Sequence, residues 1–364
     1  MNPPTEISAQ HDASAMRSVW LHRLAVLAVT LVWPLIWVGG LVTTYDAGMA
    51  VPDWPGTYGY NLFLYPISTW LSGPFDLFIE HGHRLLGAVV GMVAIALVAV
   101  AATRERRRWV IALAATILVA VILQGALGGV RVLLGDRTVA MIHGCFGPVV
   151  FVLCCVAAAV TSRSWWDRRW DGRAAADRKR PGRGVVSLAT TVVVLSYVQL
   201  LLGAQLRHVQ PTTTPGMFTL EVASHITGAF VLWALTPVLF LLVRRCGDLT
   251  LSRPAGWLIW FVGAQILLGT GTWIVNYGWP SVLAFLPFGE GFVVRSKGFI
   301  DSIIVTGHVA VGSLILATSA VVLLQVLRHR SLVARGAIGA SRDADTEKLG
   351  DDRSSHENNV AVPV

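Results

Sequence analysis

Charge is what this chain has least of. Only 14% of its 364 residues are Asp, Glu, Lys or Arg, against roughly 25% in an ordinary soluble domain. Hydrophobic residues make up 54%, and the mean hydropathy is +0.62. That composition excludes a water-soluble globular enzyme, a disordered regulator and a nucleic-acid module. Cysteine is also scarce. Cys145, Cys154, Cys155 and Cys246 form no CxxC and no metal-type spacing, so no disulfide framework is expected. Three of them lie in one apolar run, where cysteine behaves as a small hydrophobe. The first apolar run lacks an A-x-A-type cleavage site, so it reads as a retained span. It has no Arg- and Ser-rich amphipathic transit pattern either, which favours a bacterial plasma membrane over a mitochondrial one.

What the chain has instead is length in its apolar runs. Eight stand out, at 20–44, 77–103, 109–134, 138–161, 185–208, 219–243, 255–277 and 299–327. Each can cross a hydrocarbon core as a helix, and lipid cannot satisfy the edges of open strands. The expected fold class is therefore an all-α membrane protein with eight transmembrane helices. Of the 29 basic residues, 23 fall in the N-terminal tail and first turn of the first span, 104–108, 162–184, 244–254 and the C-terminal tail. That bias places both termini in the cytoplasm. RERRR (104–108) and DRKRPGR (177–183) are then topology signals, not nucleic-acid-binding strings. The six remaining basic residues, Arg84, Arg131, Arg137, Arg207, Arg295 and Lys297, lie at or near the outer side.

The basic segment 162–184 divides the spans into two sets of four, 20–161 and 185–327. QGALGG (124–129), QLLLGA (199–204) and QILLGT (265–270) recur near the outer ends of the third, fifth and seventh spans. This self-similarity suggests a duplicated four-helix bundle in parallel topology, with small residues allowing close helix approach. Segments 1–19 and 328–364 read as cytoplasmic tails, the second of them disordered. The first outer loop, 45–76, is long and rich in Trp, Tyr, Pro and Gly, which suggests a folded cap at the interface.

Ionisable residues inside a membrane are costly and usually functional. His83, His143, His225 and His308 each lie in an even-numbered span, about 8–14 Å below its outer end at the α-helical rise. His81 points about 160° away from His83 on a helix. Two imidazoles facing each other across a four-helix bundle suit heme iron, which predicts the pairs His83 with His143 and His225 with His308. Zinc or copper would need further ligands, for which Glu80 and Glu221 are near. Arg131 and Arg207 are the expected partners for heme propionates. Either Glu80 or Glu221 could orient a histidine. Glu80 also adjoins the long first loop, so one half is expected to be catalytic and the other to carry electrons.

GGLVTTYDAGMAVPDWP (39–55), EHGHR (80–84), QGALGGVRV (124–132), His143, LGAQLRH (202–208) with His225, and GTGTW (269–273) with His308 together resemble the heme A synthase (CtaA/Cox15) family over about 20–327. The resemblance implies oxidation of the C8 methyl of heme O to the formyl group of heme A, for a-type terminal oxidases. It implies that His83 and His143 serve the substrate heme, that His225 and His308 are axial ligands of a heme b cofactor, and that Glu80 is the catalytic carboxylate. Heme O synthase and oxidase assembly factors are the implied protein partners, alongside membrane lipid and a homo-oligomer, with no nucleic acid. Many bacterial members carry a cysteine pair in the first outer loop, and this chain has none there.

Two other readings exist. A di-heme electron-transfer cytochrome would place its hemes at opposite faces of the bilayer, whereas these four histidines share one depth. A heme-handling or transport protein could use WWD (165–167), but that string falls on the side away from the histidines.

Overall fold

The computed structural model describes residues 6–166, 179–280, 285, 293–294 and 298–358, with side chains described only within 19–334. Eight long helices follow one another: α1 (Glu6–Thr44), α3 (Phe75–Arg104), α4 (Arg108–Leu134), α5 (Arg137–Thr161), α7 (Arg183–Arg207), α8 (Pro215–Arg244), α9 (Leu249–Tyr277) and α10 (Phe299–Asn358). Short helices α2 (Ile67–Ser72) and α6 (Arg163–Trp166) sit in connections. Among the described residues there is no strand, only an isolated bridge between Thr57 and Tyr60. All eight long helices contain a stretch long and apolar enough to cross a membrane. This is a multi-pass membrane protein.

Local chemistry sets the helix ends. Asp136 accepts a hydrogen bond from the Val139 amide at 2.8 Å to start α5. Thr214 accepts from the Met217 amide at 3.3 Å, with Pro215 opening α8. Asp248 accepts from the Thr250 amide at 2.9 Å to start α9. These caps satisfy orphan donors of the first turn. They also explain why α8 and α9 begin several residues before the apolar runs expected at 219 and 255. Gly135, at φ 60°, ends α4 in the left-handed region that glycine tolerates.

The C-terminal segment corrects an expectation. Residues 328–358, expected as a disordered tail, continue α10 as helix to Asn358. The stretch contains no proline and mixes Ala, Leu, Arg, Lys and Glu, which are good helix formers. Its polarity excludes burial in lipid, not helical winding.

α1, α3, α4 and α5 close a ring of neighbours, and α7, α8, α9 and α10 close a second. The rings meet along α10, which packs on both α1 and α5, while α7 touches α5. At this seam Trp33 Nε1 donates to the Ala310 carbonyl at 3.3 Å. Gly40 lies against Thr306, and Gly307 against Trp37.

The apolar core of each ring is concentrated toward one end. In the first it runs through Ala25, Val32, Leu97, Ile117 and Phe151. In the second it runs through Val192, Leu239, Leu258 and Val322. That end carries the start of α1 and the end of α10 and is called here the terminal end. Toward the opposite end, where the 45–66 loop lies, glycines and histidines take over the facing positions. It is called the histidine end.

Candidate functional site: two histidine pairs

His83 on α3 and His143 on α5 face each other with ring centroids 6.5 Å apart and planes at 78°. His225 on α8 and His308 on α10 do the same at 6.2 Å and 72°. Each ring rests on a glycine of the preceding long helix. A Cβ at Gly39, Gly128, Gly203 or Gly269 would lie 2.8, 3.0, 3.2 or 3.0 Å from Cε1 of His83, His143, His225 or His308 respectively. A side chain at Gly39 would force the His83 ring to shift, and at the other three positions the ring would have to give by a few tenths of an ångström. Nδ1 of His143 sits 3.1 Å from the Gln124 carbonyl oxygen. Nδ1 of His83, His225 and His308 is buried and faces the backbone of Leu35, Gln199 and Gln265 in the same way. With Nδ1 turned to the neighbouring helix, Nε2 is the nitrogen left for the space between paired rings.

These residues fit a heme. A metal-bound imidazole nitrogen sits at about 2.0–2.1 Å, so two rings opposed on one metal have centroids about 6.3 Å apart. Among the described residues no group of three or more His, Cys, Asp or Glu comes together. Zinc or copper sites want more protein ligands than a histidine pair, whereas heme brings its own equatorial nitrogens and needs only axial ones. The apolar packing described above also thins out where the pairs begin. Near the seam, Trp37 Nε1, Arg207 Nη1 and Thr272 Oγ1 are buried and unpartnered, donors of the kind a carboxylate would take up.

The surroundings of the two pairs differ. Glu80, 2% exposed, stands beside the first pair. Its Oε1 accepts from Arg84 Nη2 at 2.9 Å and lies 3.8 Å from Arg131 Nη2. Its Oε2 is buried with no partner. Among the described residues neither Glu80 nor Glu221 is hydrogen-bonded to a histidine; Glu80 pairs with arginines. Arginines reach Glu80 first, because Arg84 stands one helical turn away and Arg131 comes in from α4.

Arg84 also holds the first loop. Its Nη1 donates to the carbonyls of Asp53 at 2.6 Å and Gly56 at 2.8 Å, and its Nη2 donates to Val51 at 2.6 Å. His81, set aside in the sequence because it points away from His83, anchors the same loop. Its Nδ1 pairs with Thr57 Oγ1 at 2.9 Å, and its ring packs on Tyr65 and Trp70. Trp54 lies flat against Gly129, and the Arg131 guanidinium against Gly48. The cap over the first pair is thus fastened from below by α3 and α4.

Asp53 braces the tip of the loop, accepting from the amides of Tyr58 at 2.8 Å and Gly59 at 2.9 Å. Burial pushes its carboxyl up, but the Gly59 and Tyr58 amides outweigh this and hold it below its usual range. A lowered folded-state pKa stabilises the loop above the unfolded value, and that stabilisation is lost as pH falls through the folded one. Protease cleavage within 50–60 is expected to stay flat down to about pH 4 and to rise only below it. Asp53→Asn should remove that acid-dependent rise. An Asp53→Asn profile identical to wild type would overturn the brace.

Arg207 is placed differently from Arg131. From α7 it reaches across the seam, its Nη2 donating to the Gly40 carbonyl and Thr44 Oγ1, each at 2.7 Å. Its neighbour His208 is pushed down to about 4 by burial and by the charges of Arg207, Arg131 and Arg137. The histidine end is strongly cationic at this point. Arg295 and Lys297 lie outside the described residues.

The profile of the COX15-CtaA family, described as a cytochrome oxidase assembly protein, matches residues 22–228. The chain belongs to that family. No curated protein matches the chain. In this COX15-CtaA member the matched stretch contains Glu80, His83, His143, Arg131, Arg207 and His225, and it ends before His308. The placement of His308 rests on geometry: a second ring facing His225 and a second glycine beneath it.

The glutamines are what sequence reading missed. Gln124 Nε2 donates to the His143 carbonyl at 3.0 Å, and Gln199 Nε2 to the His225 carbonyl at 2.7 Å. The signal was present in the recurring QGALGG and QLLLGA strings, where only the small residues drew a reading.

Proposed function

We propose that this COX15-CtaA member is a heme A synthase, oxidising the C8 methyl of heme O to a formyl group to give heme A for a-type terminal oxidases. Heme O is the substrate, taken between His83 and His143. Heme b is the resident cofactor, taken between His225 and His308. The observation that carries the reading is the asymmetry of two otherwise matched pairs. Among the described residues, only the first has a buried carboxylate beside it with a free oxygen, Glu80 Oε2, under a pinned cap.

When bound, heme b supplies one-electron iron chemistry, which side chains cannot provide. The residues of this chain do the rest. Arg84 and Arg131 hold Oε1 of Glu80, which leaves Oε2 to hold or move a proton. The His83 and His143 rings orient the substrate. The 46–60 loop, tied down through Arg84 and His81, excludes water from the histidine end of the first ring. Arg207 Nη1, buried and unpartnered, is the stronger propionate partner, since Arg131 is already shared with Glu80.

Two parallel-repeat four-helix bundles, both termini in the cytoplasm and a bacterial plasma membrane complete the reading. The basic residues concentrated at the terminal end support the orientation. Heme O synthase and oxidase assembly factors are the partners this role calls for.

The test is co-expression with a heme O synthase in a host that makes no heme A, followed by extraction and mass analysis of the hemes. Heme A is expected. Heme O alone, with the protein present in the membrane, would overturn the assignment.

A further inference from the structure

Each of the four histidines faces a glycine, and four residues before that glycine stands a residue in constant register: Leu35 before Gly39, Gln124 before Gly128, Gln199 before Gly203 and Gln265 before Gly269. Three registers carry glutamine and one carries leucine. The glutamine amides fill a notch one turn beyond each histidine. A Cβ at Gly147, Gly228 or Gly312 would lie 3.3, 2.9 or 3.1 Å from Nε2 of Gln124, Gln199 or Gln265. From this notch Gln124 and Gln199 donate to the carbonyls of His143 and His225. The corresponding glycine after His83 is Gly87, where a Cβ would meet nothing within 4 Å. The turn carrying His83 therefore has no side chain from the neighbouring helix hydrogen-bonded to it at this register, and the space beside it is open.

We propose that Gln124, Gln199 and Gln265 are positioning residues that pin three histidine-bearing turns, and that His83, in the Leu35 register, is the exchangeable ligand through which the substrate heme enters and leaves the first ring. The proposal rests on the heme reading above. Its physical basis is a difference in mobility. A backbone carbonyl in a transmembrane helix already accepts from the amide one turn later, and a second, side-chain donor ties that turn to the next helix. Where the donor is replaced by Leu35 and the notch is open, the turn that carries the His83 imidazole can shift without breaking a side-chain bond to the next helix. A resident cofactor needs both ligands fixed, and Gln199 and Gln265 sit beside both ligands of the second pair. A substrate that must be released as product needs one ligand that yields. The yielding ligand lies one turn from Glu80, so the side on which the substrate loosens is also the side on which the free carboxylate oxygen waits.

Heme transfer to excess apomyoglobin, followed by absorbance, tests this on the purified full-length protein loaded with heme O and heme b. Wild type is expected to release heme in a fast phase and a slow one. Leu35→Gln should slow the fast phase, and Gln199→Leu should speed the slow phase. Gln124→Leu should speed the fast phase further. Each change is expected to be about fivefold to tenfold, the scale of one buried hydrogen bond expressed in a dissociation rate. Leu35→Met, apolar and of similar volume, should leave both phases unchanged, which separates the amide from packing. A heme-loaded Leu35→Gln protein releasing at the wild-type rate would overturn the proposal, and so would a Gln199→Leu slow phase equal to wild type. If Leu35→Gln does not accumulate, the two glutamine variants decide the matter. A wild-type protein that takes up no heme at all overturns the underlying heme reading instead.

Discussion

Purified His225→Ala and His308→Ala proteins should contain no heme b, while His83→Ala and His143→Ala should retain it in full. The two ring pairs stand in separate four-helix rings, each imidazole seated on its own glycine. Removing one ring of a 6.2 Å pair would take away one of the two imidazoles proposed to hold heme b and leave a hole the size of an imidazole against Gly203 or Gly269. Loss of an outer partner of a metal ligand already costs about 10–100-fold in affinity, so loss of the ligand itself should exceed that. The readout is the pyridine hemochrome spectrum of protein purified at equal yield. The same His83→Ala and His143→Ala proteins should make no heme A. If heme b fell equally in His83→Ala and His225→Ala, the division of labour between the rings would be wrong.

Glu80→Gln should reduce heme A formation by about 10²–10⁴-fold, the usual contribution of a positioned acid or base, with heme b content unchanged. Glutamine keeps the length of the side chain and still offers an oxygen to Arg84, so the clamp on the first loop should survive. What is lost is the capacity of the buried Oε2 position to carry a proton. Heme A production within about tenfold of wild type would exclude proton transfer by this residue, since it falls below the range for general acid–base catalysis. Loop cleavage in the same variant provides the control. If the 50–60 segment becomes protease-sensitive in Glu80→Gln, the defect is one of positioning.

Much of this site is legible in the sequence because a membrane simplifies the reading. Hydrophobic length sets the spans, and an ionisable residue inside one is conspicuous. The pairing of His83 with His143 and of His225 with His308 was expected from order and depth, and the structure brings those rings together edge to face, with centroids 6.5 and 6.2 Å apart. What could not be read depends on neighbours across helices. Glu80 and His83 share a helix face, which suggested that one orients the other. Arg131, 51 positions along the chain, approaches Glu80 instead. Gln124, Gln199 and Gln265 are neutral and of ordinary helix propensity, so nothing local marks them until their glycine notches are in view. The long helix through 328–358 was missed for a different reason: polarity reports on burial, while winding depends on backbone propensity.

The position of α10 has a consequence for biogenesis. It emerges from the ribosome after the other seven long helices, yet it packs on α1 and α5 as well as on α7 and α9, and it carries His308. Domains made early in translation commonly fold before later ones appear. Here the first ring can assemble early, but its seam face stays open to lipid until α10 has been made. Insertion of α10 then closes the seam and supplies the last imidazole together. On the proposed reading, cofactor capture by the second pair waits for α10, and a polypeptide truncated before 299 would not retain a cofactor that needs both His225 and His308.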